Sequence, residues 1–240
     1  DMEVQVPDSS KPLLNPFESV KGGRWEEPPS EAMLEAAQHY SHALTQRAAA
    51  NFYHAMRYLP DMKRQALTAV YAFCRRADDI ADGDFRETFT GWSEDAFSEF
   101  EQYRSNIAER GEYDTLIDGK NGLQRLRQLY GLRMKMSSCF TEDIWLTDPV
   151  FMALKAANQI YNFDRSDLDA VIDGMEDDLY IVHYRTSEQL EAYCARVASA
   201  TGLLCIDIYQ PSDRDAARKH GYSLGQYMQM INILRDVKED

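Results

Sequence analysis

The sequence predicts an all-α fold, and three observations carry the prediction. Runs of strand-type alternation are almost absent. Helix-start signals recur from Ser30 onward, each followed by helix-compatible residues. Five of the eight prolines lie before Ser30, at positions 7, 12, 16, 28 and 29. The expected count is seven to nine helices, with no internal repeat.

Those prolines, with Gly22 and Gly23, make residues 1–29 read as a flexible arm. The helical pattern starts at Ser30 and continues through one domain, residues 30–240. Pro60 stands at the start of a helix running to Asp82, because a first-turn proline loses no intrahelical hydrogen bond. The polar stretch from Gly111 to Gly122 reads as a loop. Asp148 and Pro149 are a cap and a first-turn proline, opening a helix to about Tyr161. Asp164 marks another start. Thr186 and Gln189 have the spacing of a capping box, and that helix runs to about Tyr209. Pro211, Ser212 and Asp213 break it, and helix resumes from about Arg214.

A chain of 240 residues is long enough for a sizeable core, and 44% hydrophobic residues is an ordinary globular share. The net charge of -14 argues against nucleic-acid binding, which needs Lys and Arg to displace counterions. Cys74, Cys139, Cys194 and Cys205 form no CxxC pair, so a zinc ribbon or redox motif is not expected. Buried free thiols in a reducing cytoplasm are the preferred reading. There is no apolar signal-peptide core and no run of about 18 apolar residues. The five histidines form no ligand-spaced cluster, and His39 and His42 read as a surface pair.

Chemistry concentrates in two stripes. Tyr71, Arg75, Asp78 and Asp82 are spaced four, three and four, and share one face of a helix. Val70, Phe73, Cys74, Ala77, Ile80 and Ala81 fill the rest. Far along the chain, Gln229, Asn232, Asp236 and Asp240 are spaced three, four and four, with Arg235 beside them and apolar residues around. A solvated face explains either stripe alone; the pair together favours a shared site. Two facing sets of carboxylates supply hard oxygen donors, which suit Mg²⁺ with phosphate and do not suit zinc. A cation is also what an acidic protein needs to hold an anion. A carboxylate and a phosphate oxygen ~4 Å apart repel by roughly 4 kcal/mol at an effective dielectric near 20. Arg75 and Arg235 add forked donors for the same phosphates. A third helix places Tyr193, Val197, Thr201, Gly202 and Cys205 near one face, where small residues leave room for an apolar chain or permit close helix packing.

At these residues the sequence resembles the squalene/phytoene synthase family. The resemblance covers about Asn51 to Asp240 and rests on NFYHAMRYLP, YAFCRRADDIAD, GLLCIDIY and QMINILRDVKED. It is closest in look to the presqualene diphosphate synthases of hopanoid biosynthesis. The resemblance implies a single helical bundle around a central cavity, of the isoprenoid synthase type. It implies Mg²⁺, with Mn²⁺ as a substitute, held by Asp78 and Asp82 on one wall and by Asn232, Asp236 and Asp240 on the other. Tyr71, Arg75, Gln229 and Arg235 would contact diphosphate or order the metals. Asn51 would stand in for a serine at the first phosphate site. Phe52, Tyr193, Val197, Ala198, Thr201 and Gly202 would line the prenyl channel.

The implied reaction joins two prenyl diphosphates head to head, giving presqualene diphosphate from C15 donors or phytoene from C20 donors. Tyr71 or the released diphosphate would accept the proton. A non-catalytic family member acting as an assembly protein is the rival reading. No nicotinamide fingerprint is evident. The implied partners are prenyl diphosphates, with no nucleic acid; the expected location is the cytoplasm with transient membrane contact. Three departures stand out. Ala49, Ala50, Asn51 and Phe52 replace a serine-rich stretch, Thr201 occupies a position that is often Val, and family members continue with more helices beyond the position of Asp240. The domain is therefore expected to be incomplete at its C-terminus.

Overall fold

A computed structural model describes residues 13–18, 24–25, 27–85, 94–111, 119–180 and 184–236. The all-α expectation holds. Among the described residues ten α-helices form, more than the seven to nine expected, with two two-residue strands and short 3₁₀ and π segments. The chain divides into two compact units, residues 1–73 with 137–162 and residues 74–136 with 163–240.

The first unit is built on α1 (Glu31–Ala48), α2 (Ala50–Met56), the first half of α3 (Asp61–Asp82) and α6 (Pro149–Tyr161). Ser30 caps α1 by accepting from the Met33 N–H. Asp148 caps α6 by accepting from the Val150 N–H at 3.0 Å, with Pro149 in the first turn as expected. Helix α6 buries nearly every residue from Pro149 to Ala157. Thr45 Oγ1 donates to Ser41 O at 2.8 Å, which satisfies a hydroxyl that α1 buries. Phe73 and Phe151 meet edge to face, centroids 6.3 Å apart.

A buried lysine organises the far end of this unit. Lys155 Nζ donates to the carbonyls of Thr141, at 2.6 Å, and Ile144, and lies 4.7 Å from the centre of the Trp145 ring. Trp145–Leu146 is β2, and it pairs antiparallel with β1, Arg24–Trp25. Phe17 is also buried. At these points the segment read as a flexible arm is packed. His42 departs from the surface-pair reading too. Its Nε2 is hydrogen-bonded to the Tyr53 hydroxyl, and burial lowers its pKa.

The second unit holds the rest of α3, α4 (Glu94–Gly111), α5 (Gly119–Ser137), α7 (Arg165–Asp177), α8 (Ser187–Cys194), α9 (Ala200–Tyr209) and α10 (Arg214–Asp236). Residues 119–122, read as loop, are the first turn of α5. The Thr186 side chain accepts from the Gln189 N–H, and Gln189 Oε1 accepts from the Arg185 N–H at 2.9 Å, one residue before the capping-box position. Between α8 and α9 runs a π-helix, Ala195–Ser199, which sequence reading took as plain α-helix. Gln210 ends α9 in a left-handed conformation at φ 53°. All four cysteines are free; Cys139 and Cys194 are buried as expected, while Cys74 and Cys205 are only half-buried.

Glycines set the approach of α7 and α10 to the π-helix. A Cβ on Gly174 would lie 2.7 Å from Val197 Cγ1, and one on Gly225 would lie 2.6 Å from Ser199 Cα. Ser199 Oγ donates to Tyr222 O at 2.7 Å, which fastens the π-helix to α10. Two ionic clusters hold α7. Arg218 bridges Asp167, at 2.7 Å, and Asp207, at 3.0 Å. Arg133 binds Asp169 at 2.7 Å, Asp173 at 2.8 Å and Glu176 at 3.1 Å, and its Nε donates to the Tyr103 hydroxyl at 2.9 Å.

Candidate active site

The first acidic stripe occupies the C-terminal turns of α3. Ala77, Ile80 and Ala81 are buried as expected, which turns Asp78 and Asp82 to the other side. Arg75 grips two carboxylates at once, Asp78 at 2.8 Å and Asp79 at 2.6 Å. Burial and then repulsion from Asp82 raise the pKa of Asp78, against the opposing pull of Arg75. Gly83 follows at φ 86°, and Arg125 lies against it, its Nη1 donating to Ala81 O at 3.1 Å.

The second contribution comes from α7, and sequence reading missed it. Glu176, Asp177 and Asp178 end that helix as three consecutive acids, each turned to a different partner. Glu176 binds Arg133, Asp177 binds Arg196 on the π-helix, and Asp178 is hydrogen-bonded to Tyr193 on α8. Asp178 faces the acids of α3. Its pKa is pushed up to about 6, by burial first, and then by repulsion from Asp177, Asp78 and Asp82. The residue as a whole is solvent-accessible while its carboxyl is crowded by protein. Tyr193, expected only as channel lining, thus presents a polar contact, and burial beside Asp178 raises the pKa of its phenol.

A signal for this was present in the sequence. Acids at a helix C-terminus oppose the macrodipole, whose negative end lies there. Both α3 and α7 end this way. Two negative helix ends carrying Asp78, Asp82 and Asp178 within electrostatic reach of one another are costly to assemble, unless a cation belongs among them.

The remaining expected residues fall as follows. Cys74 Sγ and Thr201 Oγ1 lie 3.7 Å apart, joining α3 to α9. Gly202 faces α10, with Gly221 O 3.8 Å from where its Cβ would be. Val197 and Ala198 lie in the π-helix. The face drawn through Tyr193, Val197, Thr201, Gly202 and Cys205 assumed an unbroken α-helix, so that reading needs correction. Two contacts of the residues expected at the site on α10 run along the helix itself. Asn232 Nδ2 donates to Gln229 Oε1 at 3.4 Å, and Arg235 binds Asp236 at 2.9 Å. None of the residues of α10 is buried, Ile231 and Leu234 included. Asp240 and the Asn51 side chain lie outside the described residues. In the first unit, Phe52 and Tyr71 place their ring centres 5.9 Å apart.

No three His, Cys, Asp or Glu side chains among the described residues group into a metal site. The side chains within electrostatic reach of one another are carboxylates. They suit Mg²⁺, which takes one or two of them and completes its octahedron with water and phosphate oxygens. No helix among the described residues is long and apolar enough to cross a membrane.

The helical fold and this acidic site define a class, and comparison with known proteins identifies it. The squalene/phytoene synthase family model matches residues 45–240, and the chain belongs to that family. It is 31% identical over 207 residues to presqualene diphosphate synthase of Sinorhizobium fredii, covering 86% of this chain and 60% of that one. It is 30% identical over 207 residues to phytoene synthase of Mycobacterium tuberculosis, covering 86% of this chain and 55% of that one. A crystal structure of a dehydrosqualene synthase superposes with a TM-score of 0.62 at 26% identity, covering 87% of this chain and 59% of that one. The fold is therefore that of the isoprenoid synthases, and the chain spans 55–60% of the length of these relatives.

Proposed function

We propose that this protein condenses two farnesyl diphosphates head to head, with Mg²⁺, to presqualene diphosphate. The observation that carries the reading is the electrostatic coupling of Asp178, at the end of α7, to Asp78 and Asp82, at the end of α3. Such a concentration of negative charge binds an anionic diphosphate only through cations. Membership of the squalene/phytoene synthase family supports the reaction class.

In this proposal Asp78 and Asp82 hold Mg²⁺ on one wall, and Asn232, Asp236 and Asp240 on the other; Mn²⁺ has the same oxygen preference. The cation supplies Lewis-acid pull on the leaving diphosphate. Arg75, which binds Asp78 and Asp79, would donate to phosphate oxygens, and Gln229 and Arg235 would do so from α10. Asn51 contributes an amide donor near the first phosphate. Phe52, Tyr193, Val197, Ala198, Thr201 and Gly202 enclose the prenyl chains and keep water from the allylic cation. The C1–O bond of one donor breaks, and the C2–C3 alkene of the other attacks C1. Loss of a proton, to Tyr71 or to the released diphosphate, closes the cyclopropane. One presqualene diphosphate, one diphosphate and one proton result.

The test incubates the protein, in the longest form its gene encodes, with farnesyl diphosphate and Mg²⁺ but without NADPH. The extract is read by mass spectrometry. A C30 diphosphate or its solvolysis products is the expected result. The comparable identity to phytoene synthases supports a second reading, C20 donors. A C40 product from geranylgeranyl diphosphate, with none from the C15 donor, moves the assignment there. No product from either overturns both and favours an assembly role.

A further inference from the structure

Helix α2 depends on its neighbours for its place. It has seven residues, Ala50–Met56, and an isolated helix of that length is marginal in water. Ala49 precedes it with φ -143° and ψ 59° and offers no side-chain cap. Of its described side chains, Phe52, His54 and Ala55 are exposed. Met56 is buried at its end, at 2% exposure. Tyr53, half-buried, supplies a second hold.

That hold reaches α1. The Tyr53 hydroxyl is hydrogen-bonded to His42 Nε2, and the two rings meet edge to face with centroids 4.7 Å apart. Burial first, then Arg64 and His39, lower the pKa of His42. The imidazole is therefore neutral near pH 7, with Nε2 able to accept from the phenol. The residue beside Tyr53 is Phe52, 42% exposed, whose ring lies 5.9 Å from that of Tyr71 on α3. All four side chains belong to the first unit.

We propose that His42 is a positioning residue for the prenyl site: through Tyr53 it fixes the rotation of α2, and so holds Phe52 against Tyr71. The inference rests on the roles proposed above for Phe52 and Tyr71. Any turn of α2 about its axis moves Phe52 and Tyr53 together, so a bond that fixes one fixes the other. This role asks for no contact between His42 and substrate.

The test uses three variants. Tyr53→Phe removes only the hydroxyl, His42→Phe removes the acceptor, and His42→Gln keeps an amide oxygen that can accept in place of Nε2. Circular dichroism confirms the fold of each. Hydrogen exchange read by mass spectrometry compares α2 with α9, in the second unit. Tyr53→Phe and His42→Phe are expected to speed exchange in α2 roughly two- to tenfold, the worth of one hydrogen bond, with α9 unchanged. His42→Gln is expected to stay near the parent. With farnesyl diphosphate and Mg²⁺, the first two variants are expected to raise KM. They should also raise the share of donor lost as C15 alcohol relative to C30 product, because a displaced Phe52 admits water to the allylic cation. Unchanged KM and product ratio would assign His42 a purely structural role and overturn the proposal. Unchanged exchange in α2, or His42→Gln behaving like His42→Phe, would overturn it too. Exchange needs no substrate. A parent that turns over neither prenyl donor sinks the proposed reaction, while exchange in α2 still decides whether His42 fixes the helix.

Discussion

The carboxyl of Asp178 and the phenol of Tyr193 share a hydrogen bond between the end of α7 and α8. That bond favours the carboxylate, while burial and the neighbouring acids favour the protonated form and win, leaving a pKa of about 6. Tyr193→Phe removes the one favourable contact. The pKa of Asp178 is expected to rise further, and carboxyl-carbon NMR across a pH series measures it. A value that stays or falls would show that the bond contributes nothing.

Stability should follow the same group. Asp178 binds its proton more tightly folded than unfolded, so above about pH 6 its charge opposes folding. The opposition fades as pH falls from about 6 toward 3.8, the unfolded value. Asp178→Asn is expected to raise the melting temperature at pH 7.5 and to remove this residue's share of the slope below pH 6. Melting curves at pH 4.5 and 7.5 would reveal it.

Removing a carboxylate from the first stripe tests the cation site directly. Asp78→Asn is expected to weaken binding of inorganic diphosphate in the presence of Mg²⁺. The loss should reach at least the ~10–100-fold that even an outer partner of a metal ligand is worth. Titration calorimetry with and without Mg²⁺ gives the answer. An equal loss in both conditions would assign Asp78 a structural role.

The glycines of the second unit differ in what they tolerate. Gly225→Ala drives a methyl toward the Ser199 backbone, 2.6 Å from its Cα. Overpacking of this kind costs ~1–3 kcal/mol, against a gain of at most ~1 from helix propensity. Gly202→Ala meets its nearest neighbour at 3.8 Å and is expected to be neutral or stabilising. Urea unfolding of the two variants should separate them in that order.

Arg133→Leu is the expected severe lesion. It strips Glu176, fully buried, of its cation while Asp169 and Asp173 remain nearby. Breaking a buried pair from one side costs about 3–5 kcal/mol. Chemical denaturation should show that loss, and Glu176→Gln should cost less, because a neutral amide carries no stranded charge.

Much of this was legible in the sequence, because caps act locally. Ser30, Asp148, Asp164 and Thr186 each announce a helix through a side-chain oxygen that meets a backbone N–H within three residues. The stripe on α3 was legible for the same reason, since its spacing lies within one helix. Asp178 was not. Its role depends on α3 and α8 arriving beside it, which is a long-range fact. The acidic end of α7 was a hint, but chain order alone does not distinguish Glu176 and Asp177, which hold arginines, from Asp178. β1 escaped because two residues are too few to alternate, and its pairing reaches across to Trp145 and Leu146.

The π-helix at Ala195–Ser199 makes the length of that stretch matter as well as its letters. A π-turn takes one residue more than an α-turn to come round. Were the same residues to close as plain α-helix, everything after them would rotate by roughly 100°. Thr201 would swing away from Cys74, and Gly202 from α10, with no side chain changed. The segment works as a phase setting between α8 and α9, so its bonding pattern decides where the residues after it face.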